Sequence, residues 1–169
     1  ELKRRVVLFV VNEAYFFMTH RIAVARALAE TGAEVHVAVP ADHVWAPDDF
    51  SIDEIEKAGF KLHTIPLSRR GKNVLQDVRT FLSIFSLIQQ TRPDVVHLFT
   101  IKPVIYGGLA ARILAVRAVI STITGLGHVF ITPGPMNSLL RMLVVFLYKI
   151  ATGHRNSRVI VQNSGDADT

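Results

Sequence analysis

The chain has no cysteine among its 169 residues. It therefore has no disulfide framework, no thiol nucleophile and no cysteine-based metal site. Its seven histidines are scattered, and none is spaced as a His-x3-His pair, so we expect no metal site. The lack of cysteine is compatible with a cytoplasmic protein.

A long uninterrupted apolar run is also missing. The most apolar region, Leu139 to Ala151, is broken by Arg141 and Lys149, whereas a membrane-spanning helix needs about 20 apolar residues. The amino-terminal segment has no small-residue cleavage pattern, which argues against a signal peptide. The chain starts on Glu1 and stops at Thr169 on no obvious terminal element, and we expect it to be a piece of a longer protein.

Several nucleotide and hydrolase motifs are absent. The turn after the first predicted strand, residues 11–16, contains no glycine, which a dinucleotide fingerprint requires for close approach to a pyrophosphate. The chain has neither a Gly-Lys-Ser/Thr phosphate loop nor a Gly-x-Ser-x-Gly elbow. We therefore expect no bound cofactor and no dehydrogenase or α/β-hydrolase chemistry.

Half of the residues are apolar, and the net charge is +5. This length and composition predict one domain with a sizeable core, and the charge favours anionic partners such as phosphate, nucleic acid or a membrane surface. Because the cations are spread over many elements rather than interleaved with aromatic residues, we expect no nucleic acid partner.

Strand and helix patterns alternate along the chain. The apolar, β-branched runs predict strands at residues 6–11, 34–40, 61–65, 94–99, 118–123 and 159–162. Spacings of three and four predict helices at residues 16–30, 52–58, 74–90, 103–114 and 136–152. This alternation predicts an α/β fold with a doubly wound, mostly parallel Rossmann-like sheet, whose ligands bind beyond the carboxyl ends of the strands.

Five groups of residues occur in an order and spacing typical of one family. They are Phe17-Met18-Thr19-His20-Arg21, Gly32-Ala33-Glu34-Val35-His36-Val37, residues 92–103 with Gly107-Gly108, residues 120–128, and residues 159–166. Together they resemble the N-terminal domain of family-4-type glycosyltransferases of the GT-B fold, in particular the bacterial group that builds capsular or other surface polysaccharides on lipid-linked acceptors.

The resemblance implies an enzyme of two Rossmann-like domains. The N-terminal one binds the acceptor, and the C-terminal one binds the nucleotide sugar and carries a pair of glutamates. It implies transfer with retention of anomeric configuration and without a metal. We expect residues 1–169 to be the acceptor-binding domain, with the donor-binding domain absent from this chain and the fragment inactive on its own.

Candidate site residues follow the predicted strands. Asn12 after the first strand is expected to hold an acceptor hydroxyl or to cap the next helix, and Glu13 to be a general base or a solvated loop carboxylate. His20 and Arg21, placed at the start of the first helix, suit an anion, with His20 near the acceptor; packing of His20 on the helix surface is the alternative. His97, inside the fourth strand, is either an acceptor contact or a core residue.

Further candidates come from three loops. Thr100 and Lys102 leave the fourth strand, and the lysine suits an acceptor phosphate. Glycines two apart let the loop after the fifth strand approach a ligand, with candidates Thr124, Gly125, Gly127 and His128. Many family members have Gly-Gly in place of Asn12-Glu13 and His-Gly in place of Thr124-Gly125, so the residue that contacts the sugar is not identified.

A basic loop and an apolar helix suggest a lipid environment. Arg69, Arg70 and Lys72 precede a helix amino terminus, where a bound lipid diphosphate would relieve their repulsion with the helix dipole; a solvated loop is the alternative. The helix of residues 139–151 either packs in the core or contacts an anionic membrane at the inner face of the cell.

Two non-enzymatic alternatives stay open. One is a membrane-recruiting or ligand-binding subunit that acts with a separate donor-binding chain. The other is an unrelated α/β domain that binds a small molecule. The sequence downstream of Thr169 separates the first alternative from an enzyme.

Overall fold

A computed structural model of the protein describes residues 4–42, 46–68, 73–123 and 135–161. Within these ranges one six-stranded sheet forms the centre of the fold, and every neighbouring pair of its strands is parallel. The strands are β1 (Val6–Val10), β2 (Glu34–Pro40), β3 (Lys61–Ile65), β4 (Val95–Phe99), β5 (Ala118–Ile123) and β6 (Ser157–Val161).

The strand order is β3-β2-β1-β4-β5-β6. The chain winds outward from β1 to one edge of the sheet and then returns to start again at β4 beside β1. This order is the doubly wound arrangement predicted from the alternating pattern, and it places a topological switch point between β1 and β4.

Helices cover both faces of the sheet. They are α1 (Ala14–His20), α2 (Ile22–Glu30), α3 (Glu54–Lys57), α4 (Val74–Thr91), α5 (Ile101–Ile113) and α6 (Pro135–Thr152). None of the described helices is long and apolar enough to cross a membrane.

Two apolar cores form because alternate residues of the buried strands point to opposite faces. On one face Leu8, Val96 and Leu98 pack beneath α4, α5 and α6. On the other face Phe9 and Phe99 pack with Phe17 of α1 and with residues of α2 and α3. The two faces therefore give the side chains at the ends of β1 and β4 different surroundings.

The glycine pair of α5 is explained by close packing. A methyl group at Gly107 would collide with the Leu98 side chain, and one at Gly108 would lie 2.8 Å from the Ala151 Cβ and 2.9 Å from its carbonyl oxygen. The glycines therefore let α5 approach both β4 and α6, and these motif residues have a structural role.

Two expectations about the helices are wrong in detail. The first helix is interrupted at Arg21, whose φ of −122° is not helical, so that α1 ends there and α2 follows. Helix α5 starts at Ile101, so Pro103 is its third residue. Helix α4 also leaves Val74, Val78 and Leu82 of its apolar stripe exposed.

Candidate functional site

Loops that leave β1 and β4 meet at the switch point of the sheet. Asn12 and Glu13 follow β1, and Thr100 follows β4, which pairs with β1 along its length. Ligands of doubly wound sheets bind in the crevice beyond the carboxyl ends of the strands at this position. The structure therefore brings these three sequence-predicted residues to one edge.

Glu13 is fully buried at the amino-terminal end of α1. The expectation of a solvated loop carboxylate is therefore wrong, because neighbouring elements enclose the side chain. Glu13 rather than Asn12 is the N-cap residue of α1, and its side chain makes no capping hydrogen bond. The alternative in which Asn12 caps the helix is also wrong, and its role in holding an acceptor hydroxyl stays a prediction.

His97 is buried on the α1 side of β4. Its Nε2 lies 2.9 Å from the Thr122 Oγ1 on β5, and its ring packs against Phe99 and Phe9 at centroid distances of 4.1 and 5.3 Å. Burial, reinforced by the charge of Arg21, lowers the pKa of His97 to about 4. The imidazole is therefore neutral near pH 7 and has the satisfied surroundings of a core residue.

His20 and Arg21 lie at the junction of α1 and α2. His20 ends α1 rather than starting it, is exposed, and packs on the ring of Phe16 at 5.3 Å between centroids. The Arg21 guanidinium carbon lies 4.9 Å from the centroid of the Phe99 ring. The placement of His20 at a helix amino terminus is therefore wrong, and it is Arg21 that reaches the end of β4.

Thr100 has a strained backbone. Its φ of +69° and ψ of 172° fall in a region used almost entirely by glycine, at a cost of about 1–3 kcal/mol. Its N–H donates to the Thr122 carbonyl at 3.1 Å, which holds the end of β4 against β5. Such strain clusters at binding and catalytic sites, and the sequence gives no sign of it because threonine is unusual in this conformation.

Lys102 faces away from this group. Its Nζ lies 2.8 Å from the Asp77 Oδ1 in the first turn of α4. Burial, reinforced by the same carboxylate, raises the pKa of Tyr106 on α5. A phosphate at Lys102 would have to compete with Asp77, and the phosphate role stays a prediction.

The described candidates thus fall into two groups. One lies on the α1 side of the switch point and contains Glu13, Arg21, His97 and Thr100, while Lys102 belongs to the α4–α5 side. Asn12 follows β1 at the same edge, and His20 is exposed at the end of α1. The remaining candidates lie outside the described residues: Arg69, Arg70, Lys72, Thr124, Gly125, Gly127 and His128. Sequence reasoning missed Thr122 and Asp77, because only the tertiary pairing of β4 with β5 and of α4 with α5 gives them partners.

Two other features of the described ranges bear on the chemistry. No three histidine, aspartate or glutamate side chains come together there as metal ligands. An open groove of about 470 Å³ runs between the edge strand β3 and α4, lined by residues such as His63, Ser83 and Gln90. The groove lies on the flank of the sheet, two strands from the switch point.

A curated relative that matches this chain is a UDP-Gal:alpha-D-GlcNAc-diphosphoundecaprenol alpha-1,3-galactosyltransferase of Escherichia coli. It is 25% identical over 88 residues, which are 52% of this chain and 23% of the relative. The chain therefore spans about a quarter of the length of this curated relative.

Solved structures with the same fold include a UDP-N-acetylglucosamine 2-epimerase. It has a TM-score of 0.65 and 14% identity, and the match covers 98% of this chain and 44% of the epimerase. MurG of Acinetobacter baumannii matches with a TM-score of 0.51 and 20% identity over 82% of this chain and 39% of MurG. The glycosyltransferase SsfS6 of Streptomyces sp. SF2575 matches with a TM-score of 0.50 and 15% identity. That match covers 89% of this chain and 44% of SsfS6. These likenesses confirm the Rossmann-like GT-B type of fold.

The family model described as "Glycosyl transferase 4-like" matches residues 6–163, which includes every described strand and helix. The family predicted from the motifs is confirmed, and the chain belongs to the glycosyl transferase 4-like family.

Proposed function

We propose that this chain is the acceptor-binding domain of a retaining glycosyltransferase. The complete enzyme moves a sugar from a nucleotide-sugar donor to a lipid-linked or polysaccharide acceptor. The observation that carries the proposal is the family match over residues 6–163, which includes the switch point with its buried and strained residues. The relative from Escherichia coli, named for a diphosphoundecaprenol-linked acceptor, supports the lipid-linked class.

The chemistry of this half is mainly positioning. Residues at the carboxyl ends of β1 and β4 hold the acceptor hydroxyl in line with the donor sugar, which removes translational and rotational freedom before reaction. A donor-binding domain in the rest of the protein binds the nucleotide sugar and stabilises the charge of the departing nucleotide phosphate. No metal or cofactor enters this scheme.

A transfer assay tests the proposal. The protein expressed from its complete gene is incubated with UDP-sugars and an undecaprenyl-diphosphate-linked acetylglucosamine, and the product anomer is identified by NMR. We expect transfer with retention, whereas residues 1–169 alone bind the acceptor without transfer. Acceptor binding without transfer by the complete protein, with a stop codon directly after Thr169, would instead support the non-catalytic subunit.

We also propose that the protein contacts the inner face of an anionic cell membrane. Apolar residues of α4, namely Val74, Leu75, Val78 and Leu82, are between 47% and 74% exposed. They occupy the first half of α4, which begins at the same edge of the sheet as the candidate site. Arg79 is exposed among them, and Arg69, Arg70 and Lys72 directly precede the helix in sequence.

Helix α6 supports the same proposal. Met142, Leu143 and Phe146 are exposed, whereas Tyr148 and Ala151 face the core. Lys149 is exposed close to them. Apolar side chains beside cations are typical of helices that lie at the headgroup boundary of an anionic bilayer.

Vesicle sedimentation with the complete protein distinguishes the two surfaces. We expect binding to phosphatidylglycerol vesicles that falls with salt, and a loss of several-fold on Val78→Glu with Leu82→Glu or on Met142→Glu with Phe146→Glu. Ile113→Glu is the matched control, because Ile113 is equally exposed but lies at the far end of α5. Unchanged binding in both double variants would refute membrane contact.

The basic loop has its own test. The triple variant Arg69→Ala, Arg70→Ala, Lys72→Ala is expected to weaken the binding of undecaprenyl-diphosphate sugars and to reduce its salt dependence. If affinity and salt dependence stay as in the wild type, the loop does not bind the diphosphate.

A further inference from the structure

Arg21 holds a positive charge over the carboxyl end of β4. Its guanidinium carbon lies 4.9 Å from the centroid of Phe99, the last residue of the strand, and Phe99 is buried. This distance is that of a cation–π contact, which is attractive because the face of the ring is negative. The contact places the guanidinium next to the end of β4, where doubly wound sheets bind their ligands.

This charge lacks an anionic partner in the described part of the chain. None of the ion pairs there involves Arg21. The nearby His97 is neutral, and its pKa is lowered in part by the charge of Arg21. Burial lowers the pKa of Arg21 as well, yet a guanidinium stays protonated in proteins. A partly desolvated cation without a partner gains stability from a bound anion.

The dipole of helix α5 makes the same point on the sheet attractive to an anion. This helix is 13 residues long, starts directly after Thr100, and directs the positive end of its dipole at this edge. The Thr100 N–H itself donates to the Thr122 carbonyl at 3.1 Å and is not offered to a ligand. The cation and the helix dipole thus coincide at the end of β4, beside the strained backbone of Thr100.

We propose that Arg21 binds a phosphate oxygen of a diphosphate-bearing substrate at the switch point. The inference rests on the proposed function, which supplies two such molecules: the lipid diphosphate of the acceptor and the nucleotide diphosphate of the donor. The guanidinium presents paired N–H donors to one phosphate group, which is the bidentate geometry that arginine provides and lysine lacks.

Calorimetric titration of the complete protein tests the proposal. The probes are inorganic pyrophosphate, farnesyl diphosphate as a soluble prenyl diphosphate, and UDP. We expect Arg21→Gln to weaken binding of at least one diphosphate by about tenfold or more and Arg21→Lys to weaken it less. Arg26→Gln is the matched control, because Arg26 is an exposed arginine on helix α2, which starts directly after Arg21.

The pattern across probes identifies the source of the phosphate. Weaker binding of pyrophosphate and farnesyl diphosphate with unchanged UDP affinity assigns Arg21 to the acceptor, and weaker binding of UDP assigns it to the donor. Equal affinities of Arg21→Gln and wild type for all three probes overturn the inference, while sugar transfer by the wild type would leave the proposed function standing. A wild-type protein that neither transfers sugar nor binds any diphosphate refutes both.

Folding is controlled separately. Removing a side chain that covers Phe99 can lower stability, so thermal unfolding is measured for each variant. If Arg21→Gln does not fold, Arg21→Lys decides, because it keeps a cation over the ring. Weaker diphosphate binding at an unchanged melting temperature supports the proposal, and wild-type affinity contradicts it.

Discussion

The two edges of the sheet differ in whether their charged groups form ion pairs. At the amino-terminal edge, Glu34 accepts hydrogen bonds from Lys61 and from His36 Nε2, the latter at 2.8 Å. His36 Nδ1 in turn lies 2.8 Å from His63 Nε2, and the two rings stack at 5.1 Å. The hydrogen bonds from Lys61 and His36 lower the pKa of Glu34 to about 2. Every charge of this cluster has a partner.

At the carboxyl-terminal edge Lys102 and Asp77 form an ion pair on the α4–α5 side, but on the α1 side none of the described ion pairs involves Arg21. Arg21 lies over an aromatic ring, His97 is neutral and buried, and Thr100 is strained. The charges of the Glu34 cluster are paired and stabilise the fold. At the switch point a cation without an ion pair and a strained residue remain available to a ligand.

The largest effect expected to differ between the two edges is the change in the free energy of unfolding with pH. The pKa of His97 is lowered from 6.5 to about 4, so the unfolded chain binds more protons in this interval. Stability is therefore complete above pH 6.5 and is lost as the pH falls to 4, by about 3 kcal/mol. Urea unfolding from pH 7 to pH 4 measures this loss.

Variants assign the loss to one edge. Burial also lowers the pKa of His63 at the opposite edge, so both histidines act in the same direction. We expect His97→Gln to remove the larger part of the pH dependence and His63→Gln the smaller part. The comparison fails if His97→Gln leaves the slope between pH 4 and pH 6.5 unchanged.

The next effect tests whether the backbone strain of Thr100 at the candidate site matters more for activity than backbone strain elsewhere in the fold. Thr100→Gly relieves a strain of about 1–3 kcal/mol and adds a glycine cost of about 0.5–1, so we expect the free energy of unfolding to rise by about 1 kcal/mol. We also expect transfer activity of the complete protein to fall by about tenfold, since glycine lets the backbone after β4 adopt other conformations and loosens the position of the residues that follow.

Ala115 is the matched control for this substitution. It also has a positive φ, +51°, but follows α5 at the amino-terminal edge of the sheet. Ala115→Gly should raise stability by up to about 1 kcal/mol and leave transfer unchanged. Equal effects of the two substitutions on activity would show that the strain of Thr100 has no functional role.

The smallest effect concerns Glu34. Because its pKa is about 2 in the folded protein, against an ordinary value of 4.5, its stabilisation is present above pH 4.5 and is lost as the pH falls towards 2. The cluster is partly exposed to solvent, so we expect Glu34→Gln to cost at most about 1 kcal/mol at neutral pH. Transfer activity should not change, and a fall in activity would contradict the structural role of this edge.

Much of the fold could be predicted from local patterns. The bounds of β2, β3 and β5 agree with the predicted strands, since continuous runs such as Val35 to Val39 allow only a strand buried on both faces. The helix break at Arg21 was missed because the alanine-rich stretch around it has high helix propensity throughout. The exposure of Val74 and Val78 could not be predicted, because periodicity shows that an apolar stripe exists but not what covers it.

The candidate site was predicted less completely than the fold. Asn12, Glu13 and Thr100 were found from their positions after strands, which is a property of chain order. Their environments were not, because the burial of Glu13 and the backbone angles of Thr100 depend on neighbours distant in sequence. The same holds for Lys102, whose partner Asp77 lies 25 residues earlier.

The sequence by itself determined the alternation of strands and helices, the parallel sheet and the family, because these depend on periodicity and on the order of motifs. Only the tertiary structure decided which charges are paired and which are not. Lys61 and His36 meet Glu34, and Arg21 meets Phe99, through strand pairing and helix packing that bring distant residues within a few ångströms. Electrostatic energy depends on those distances and on burial, and neither can be predicted from the local sequence.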